Sequence, residues 1–385
     1  MSRILGVLLL LLVAAPAMAQ TASPQPSPSP QPSPKPSSFK SPDDGWFDLG
    51  GFMSTRYGFM PIAAPITEPA VGYGLAGGLA FISAPRTGVG ARPNVSVIGG
   101  FGTENGTKGG LAGDMRYWFD RRLRTLVGVF YGSINLDFYG LGSDPALADH
   151  PLRYNLEPGA FIAEAKYQVG KSAFFVGAGY VYSRTDVRFD APPATPGLPA
   201  FTTTSRVGGL TPSVTFDDRD NLFTPTRGTY VEGKAGVFND ALGSDDSFQR
   251  YQVTAMHYVP LPSRVFLGVR GDVATSSANT PFYLRPFVNQ RGVPVMRYQG
   301  ETMAQMELEL RWQFWKRLSA VAFGGGGRTW AEIAGQDRGK TVGAGGLGFR
   351  YEIARAYGIH MGADFAYGPA GHAFYVQVGS AWAKP

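Results

Sequence analysis

The sequence predicts an all-β fold, a transmembrane antiparallel barrel of about sixteen strands with an inward-folded long loop, and three observations predict it. Apolar and polar residues alternate with a period of two from residue 70 onward, as in strands that have one wet and one dry face. Tight turns alternate with longer connections, the rhythm of a barrel with periplasmic turns and surface loops. Charged residues make up only 17% of the chain, against 52 Gly and 13% aromatics, which is less charge than a soluble protein of this size carries.

In chain order, "MSRILGVLLLLLVAAPAMA" (1–19) has the shape of a secretory signal. Arg3 begins it, Ile4 to Val13 form the apolar run, and Ala17-Met18-Ala19 supply small residues for cleavage. That run is too short to span a bilayer as a helix, and no later stretch reaches the roughly 18 apolar residues that a spanning helix needs. Residues 20–44, dominated by Pro and Ser ("SPQPSPSPQPSPKPSS"), favour extended polyproline conformations and read as a linker. Residues 45–385 are then expected to form the barrel as one domain. The chain has no Cys, which excludes disulfides, a lipidated N-terminal Cys and thiolate metal sites. Its net charge of +6 comes from scattered Lys and Arg, so nucleic acid is not an expected partner.

The alternation is clearest in "TMAQMELELRWQF" (302–314). Thr302, Ala304, Met306, Leu308, Leu310, Trp312 and Phe314 share one face, and Met303, Gln305, Glu307, Glu309, Arg311 and Gln313 share the other. "YGIHMGADFAY" (357–367) repeats it, with Ile359, Met361, Ala363, Phe365 and Tyr367 on one side. Glu164 and Lys166, and Glu232 and Lys234, fall between apolar neighbours in the same way. Short connections are expected at 120–122, 169–172, 224–228, 260–264, 314–317 and 353–358, and long ones at 136–153, 188–203, 239–247, 277–301 and 331–340. Both chain ends on the periplasmic side require an even strand number, and the first strand is expected within 47–59.

Some patterns carry little. "GAGGLG" (343–348) matches a dinucleotide-loop pattern but runs on into "FRYEI" without a helix, so it reads as a Gly-rich strand. The four His share no metal-ligand spacing, and no cofactor is expected. His360 and Asp364 share a lumen face, which a filled lumen uses structurally. "NGT" (105–107) reads as a loop turn.

"TFDDRDNLFTPTRG" (215–228) concentrates charge at one turn. Pro225 presets it and Gly228 suits a positive φ, while Asp217, Asp218, Arg219 and Asp220 read as the wet end of a hairpin. Its D-x-R-D and P-T-x-G runs are followed by "RGVPVMRYQGE" (291–301), "MELELRW" (306–312) and "FYVQVGSAW" (374–382). In this order they resemble the barrel of the BamA/TamA-like outer-membrane assembly factors, the bacterial surface antigen family, over about residues 70–382. The resemblance implies an outer-membrane location, a weak seam between first and last strands, and a closing strand marked here by Phe374 and Trp382. It also implies contact with outer-membrane lipids and client outer-membrane or surface proteins. The periplasmic polypeptide-transport repeats of that family have no room before this barrel, so a separate periplasmic partner is a further expectation.

The connection 277–301 contains "TPFYLRPFVNQRGVPVM", odd as a free surface loop but reasonable if it folds into the lumen. The resemblance implies the same, with a tip set at Arg297, Tyr298 and Gly300 and with Arg297 meeting Glu309 or, alternatively, Glu307. The acidic residue that the family often carries on the next strand is replaced by "FGGGG" (323–327). The expected activity is assistance to insertion or translocation of proteins, without catalysis. The alternatives are a passive pore or, less favoured, a barrel-embedded lipid hydrolase built on a Ser/His/Asp cluster.

Overall fold

The computed structural model describes residues 39–41, 43–50, 58–83, 94–119, 122–141, 147, 150–190, 201–333 and 336–382. The signal, nearly all of the linker and the last three residues lie outside the described residues. Each strand pairs antiparallel with the next in sequence, from β1 (Gly58–Glu68), β2 (Gly72–Ser83), β3 (Asn94–Thr103) and β4 (Lys108–Trp118) onward. β5 (Leu123–Phe138), β6 (Leu152–Gln168) and β7 (Phe174–Phe189) follow, and then β8, written as Phe201–Leu210 and Ser213–Asp217. The two parts of β8 are one strand: Tyr180↔Leu210 and Gly177↔Ser213 lie on a single register, interrupted only at Thr211-Pro212. β9 (Gly228–Phe238), β10 (Phe248–Leu261), β11 (Val265–Ser276), β12 (Thr302–Trp315) and β13 (Leu318–Trp330) continue the wall. β14 (Thr341–Ala354), β15 (Ile359–Gly368) and β16 (Gly371–Val378) complete sixteen wall strands.

Along β12, Leu308, Leu310 and Trp312 are exposed while Gln305, Glu307 and Arg311 are buried. In a closed barrel this means a lipid-facing outside and a polar, packed inside, so the alternation has the faces expected of it. Phe365 is exposed on the same outer surface, but Ile359 is buried. It sits at the turn end of β15, where it joins a plug of apolar side chains rather than the lipid band.

The alternation of short and long connections holds only in the middle of the chain. On the long-loop side the turns 69–71, 104–107 and 369–370, all near the chain ends, are also tight. The first strand starts at Gly58, so it is not the 47–59 stretch. Instead residues 39–50 dock on the turn side of the wall. Asp44 and Asp48 hold the fully buried Arg317 of the β12–β13 turn at 2.7 and 2.8 Å, Leu49 N donates to Ile353 O, and Trp46 packs on Trp315 and Tyr351. The end of the linker region is therefore fastened by a charge that has no other way to be buried.

Two outcomes check this fold. A charge on the lipid face at mid-membrane costs ~2–4 kcal/mol, so Leu310→Arg should lower the yield of heat-modifiable, folded barrel far more than a charge swap at Arg338, measured by gel shift. The second concerns the docked segment. The hydrogen bond from Arg317 lowers the Asp44 carboxyl from 3.8 to about 2. A carboxylate with a depressed folded pKa stabilises above its free value and loses that contribution as pH falls through the folded one. Protease protection of residues 39–50 should thus be full at neutral pH, decline between about pH 4 and pH 2, and be lost at neutral pH in Asp44→Ala.

Candidate functional site in the lumen

The connection between β11 and β12 enters the lumen, and its tip is Arg291-Gly292. Arg291 is 2% exposed. Its Nε lies 2.8 Å from Glu307 Oε1, and its Nη1 lies 2.7 Å from Glu309 Oε2 and 2.9 Å from Asp364 Oδ2. The guanidinium also stacks over the Phe323 ring, 3.7 Å from its centroid. Asp364, fully buried, is shared with Arg350 at 2.6 Å. A buried guanidinium in water-poor surroundings requires this kind of compensation, because any carboxylate removed leaves the rest unbalanced.

Local sequence explains how the tip fits. Gly292 has φ +85, and a Cβ there would lie 2.9 Å from Ala344 Cβ. Its N–H donates to Tyr375 Oη of β16 at 3.0 Å. The "FGGGG" run supplies the room: a Cβ on Gly327 would meet Val288 at 2.9 Å, and the fully buried Val288 and Val293 pack there beside Ala274, Met303 and Val342. Gln290 reaches the carbonyls of Met306 and Gly326 at 2.9 and 2.8 Å. Further on, Val295 N donates to Glu68 at the top of β1, and Tyr283 binds Ser205 of β8 at 2.9 Å. The loop thus touches strands all around the wall.

Arg297 does not occupy the tip. Its guanidinium lies over the Tyr139 ring at 4.5 Å and near Tyr298 at 5.7 Å, and Tyr298 O accepts from Val288 N within the loop. Gly300 is buried where a Cβ would meet Trp330 O at 2.5 Å. Glu309 and Glu307 are both partners, as the spacing along β12 suggests, but of Arg291. The dipeptide that reaches the wall, Arg291-Gly292, lies six residues before Arg297 and is followed by the buried Val293. Asp364, the third carboxylate, was legible only as a lumen-facing residue of β15. It does not pair with His360, whose Nε2 lies 3.0 Å from Arg311 Nη1, and among the described residues no His/Asp/Glu group of metal-binding shape occurs.

The charged stretch at 215–228 is more than a wet hairpin end. Asp217 and Arg219 form a bidentate pair at 2.8 and 3.0 Å, and Arg219 stacks over Tyr230 at 4.4 Å. Asp218 accepts Thr229 N at 2.6 Å. Asp220 accepts the N–H groups of Thr226 and Arg227, the two residues that follow the buried Pro225. Gly228, at φ +103, leaves no space for a Cβ against Asp218 O. Asn221 caps Phe223 and Thr224 and donates to Tyr357 O at 2.9 Å. These bonds satisfy the turn's own backbone, so that Phe223 can cross the mouth of the barrel on the turn side. It packs against Ala80, Val95 and Val97 of the far wall, with Leu49 beside it.

The last residues also depart from a simple closing strand. β16 ends at Val378 with Phe374 facing out, 5.0 Å from Phe365. Gly379 (φ +76) then turns the chain inward, with its N–H on His360 O. Trp382 is buried in the lumen against Tyr230, Met256 and Tyr258, and its Nε1 donates to Glu307 Oε2 at 2.9 Å.

No ladder joins β1 to β16 among the described residues; Val376 N donates to the Thr67 side chain at 3.3 Å. A model of the Omp85 superfamily domain matches residues 93–371, well over half of the chain. The chain belongs to the Omp85 superfamily. Its barrel is similar to BamA from Haemophilus ducreyi lacking POTRA domains 1–3, with a TM-score of 0.57 at 13% identity over 84% of this chain and 69% of that one. It is also similar to CdiB from Escherichia coli, with a TM-score of 0.56 at 11% identity over 85% of this chain and 60% of that one. At such identities the likeness speaks for the fold. No curated protein matches the sequence.

The pairing at the loop tip of this Omp85 barrel has a direct check. Breaking one partner of a buried ion pair costs ~3–5 kcal/mol. Arg291→Ala and Glu307→Ala should therefore each lower the temperature at which the folded barrel converts to its unfolded gel form. The double variant should lose less than the sum, while Arg297→Ala should shift that temperature little.

Proposed function

We propose that this protein is an outer-membrane barrel that helps other proteins insert into or cross that membrane. The observation that carries the reading is the seam. Among the described residues every neighbouring pair of strands is joined by a ladder except the first and last, and a sheet edge at membrane depth can be completed by the backbone of an incoming strand. The membership of the Omp85 superfamily supports the same reading. Its clients are other outer-membrane or surface polypeptides, and a separate periplasmic protein delivers them.

A passive pore needs an open polar lumen, and here the β11–β12 connection crosses the lumen while Phe223 and Leu49 obstruct its periplasmic mouth. A lipid hydrolase needs a nucleophile beside a base, and His360 is tied to Arg311 instead.

Outer-membrane fractions of cells with and without the protein, compared by quantitative proteomics, test the proposal. A subset of barrel or surface proteins should fall while inner-membrane proteins are unchanged. An outer-membrane inventory that does not change, together with steady open conductance of the purified protein in planar bilayers, would replace this reading with a pore.

A further inference from the structure

The lipid-facing wall carries a pair of charges in the middle of its apolar band. On β4, Asp114 and Arg116 share the outward face with Trp118, because Asp114 stands opposite Val127 of β5 and Arg116 opposite Thr125, and residues opposite one another lie on one face of a sheet. Val127, Val129 and Tyr131 are exposed along that face of β5, and Leu79, Phe81 and Ile98 continue it over β2 and β3. Trp118 lies four residues below Asp114, and Tyr131, opposite Gly110, lies four residues above it. Such aromatic residues mark the two boundaries of the band, and at the rise of a tilted strand each boundary is about 10 Å from Asp114.

Asp114 accepts from Ser96 Oγ at 2.5 Å and from Arg116 Nε at 2.7 Å and Nη2 at 3.3 Å. Arg116 Nη1 makes no bond among the described residues. The two side chains remain 43% and 35% exposed for Arg116 and Asp114, and what they are exposed to is hydrocarbon. Charges at mid-membrane on a barrel's outer face are unfavourable, as for Leu310→Arg, and where they occur inside a bilayer they find partners. Lipid headgroups end at the boundaries and acyl chains have no polar atoms, so no lipid completes the bonds of Arg116 at this depth. The missing acceptor has to come from a protein.

We propose that the outer face of β3 and β4 is where a second copy of this chain packs, the two copies related by a two-fold axis along the bilayer normal. Such an axis places Asp114 and Arg116 of both copies at one depth. An acid and a base two residues apart make the patch self-complementary, as an isologous contact requires: Arg116 of each copy reaches Asp114 of the other, and the four charges alternate in a ring. Gly100, Gly110 and Ala112 lie on the same face above the pair, so the two walls can approach closely, as membrane segments do over small residues. An unrelated membrane protein would need its own acid and base at this depth, which favours the second copy. The dimer does not depend on what the barrel does for other proteins.

The chain has no Cys, which permits a direct test in the full-length protein. Ala112→Cys, beside the pair, and Leu347→Cys, exposed on the lipid face of β14, are compared as single variants, diluted in phosphatidylcholine vesicles and mildly oxidised. Disulfide-linked dimers of Ala112→Cys should exceed those of Leu347→Cys by about tenfold, the factor that one or two polar contacts in lipid supply. Asp114→Leu with Arg116→Leu leaves an apolar outer face, so the barrel should keep its heat-modifiable gel shift while the Ala112→Cys dimer falls about tenfold. Asp114→Arg with Arg116→Asp exchanges the charges, keeps the ring and should retain the dimer. Equal yields at the two cysteines, a dimer that the leucine pair leaves unchanged, or an exchanged pair that folds without dimerising overturns the proposal. So does an Ala112→Cys variant that in native outer membranes links to a different protein and not to itself.

Discussion

A guanidinium that cannot reach water governs the interior of this barrel. Arg291 sits among Glu307, Glu309 and Asp364, and a buried cation is tolerable only when such partners and its hydrogen bonds are all in place. The consequences spread outward from that requirement. The loop must approach the wall closely, hence Gly292 at its tip and the glycine run of β13 beneath Val288 and Val293. The wall must offer carboxylates at the height of the tip, and β12 and β15 provide them from strands three apart in the ring. Asp364 must in turn be balanced by Arg350. The loop is consequently part of the core.

The same carboxylates tie that centre to the closing edge. Glu307 accepts from Arg291 with one oxygen and from Trp382 with the other. Gly292 leans on Tyr375 of the last strand and Val295 on Glu68 of the first. Where backbone pairing between first and last strands is missing, side-chain bonds from the lumen loop reach both edges. A change that withdraws the loop therefore removes support from both sides of the seam, and one that peels β16 away pulls on Glu307 through Trp382.

How far the sequence could be read depends on what each pattern reports. Period-two alternation survives in β12 because each residue sees either lipid or the lumen for the whole length of the strand, so the faces of Leu310 and Glu307 were legible. Ile359 follows the lipid parity of its strand and is buried nonetheless, because it lies at the mouth where Phe223 arrives from the other side. Local parity contains no information about a side chain contributed from so far along the chain. Arg291 and Arg297 look alike in a list of residues, and only the φ demanded of Gly292 and the space left by Gly327 distinguish the one that can reach the wall. Trp382 read as the end of a strand until the turn at Gly379 removed it from the sheet. The charges of 215–228 were visible as a cluster, whereas their work in satisfying a turn that carries Phe223 inward could be seen only with the partners in place.

The seam draws these features together. A backbone edge in a membrane must be paired, covered or shortened, and this chain uses the second and third. Its last strand has eight residues, after which Gly379 takes the chain out of the lipid layer and into the lumen. Its first strand loses donors at Pro61 and Pro65, residues that a central strand would not accommodate without breaking its ladder. Both devices reduce what the two edges could gain by zipping together, while among the described residues every other strand pair is joined by a ladder. The closing contact is thus left with fewer backbone bonds than any other contact between neighbouring strands among the described residues.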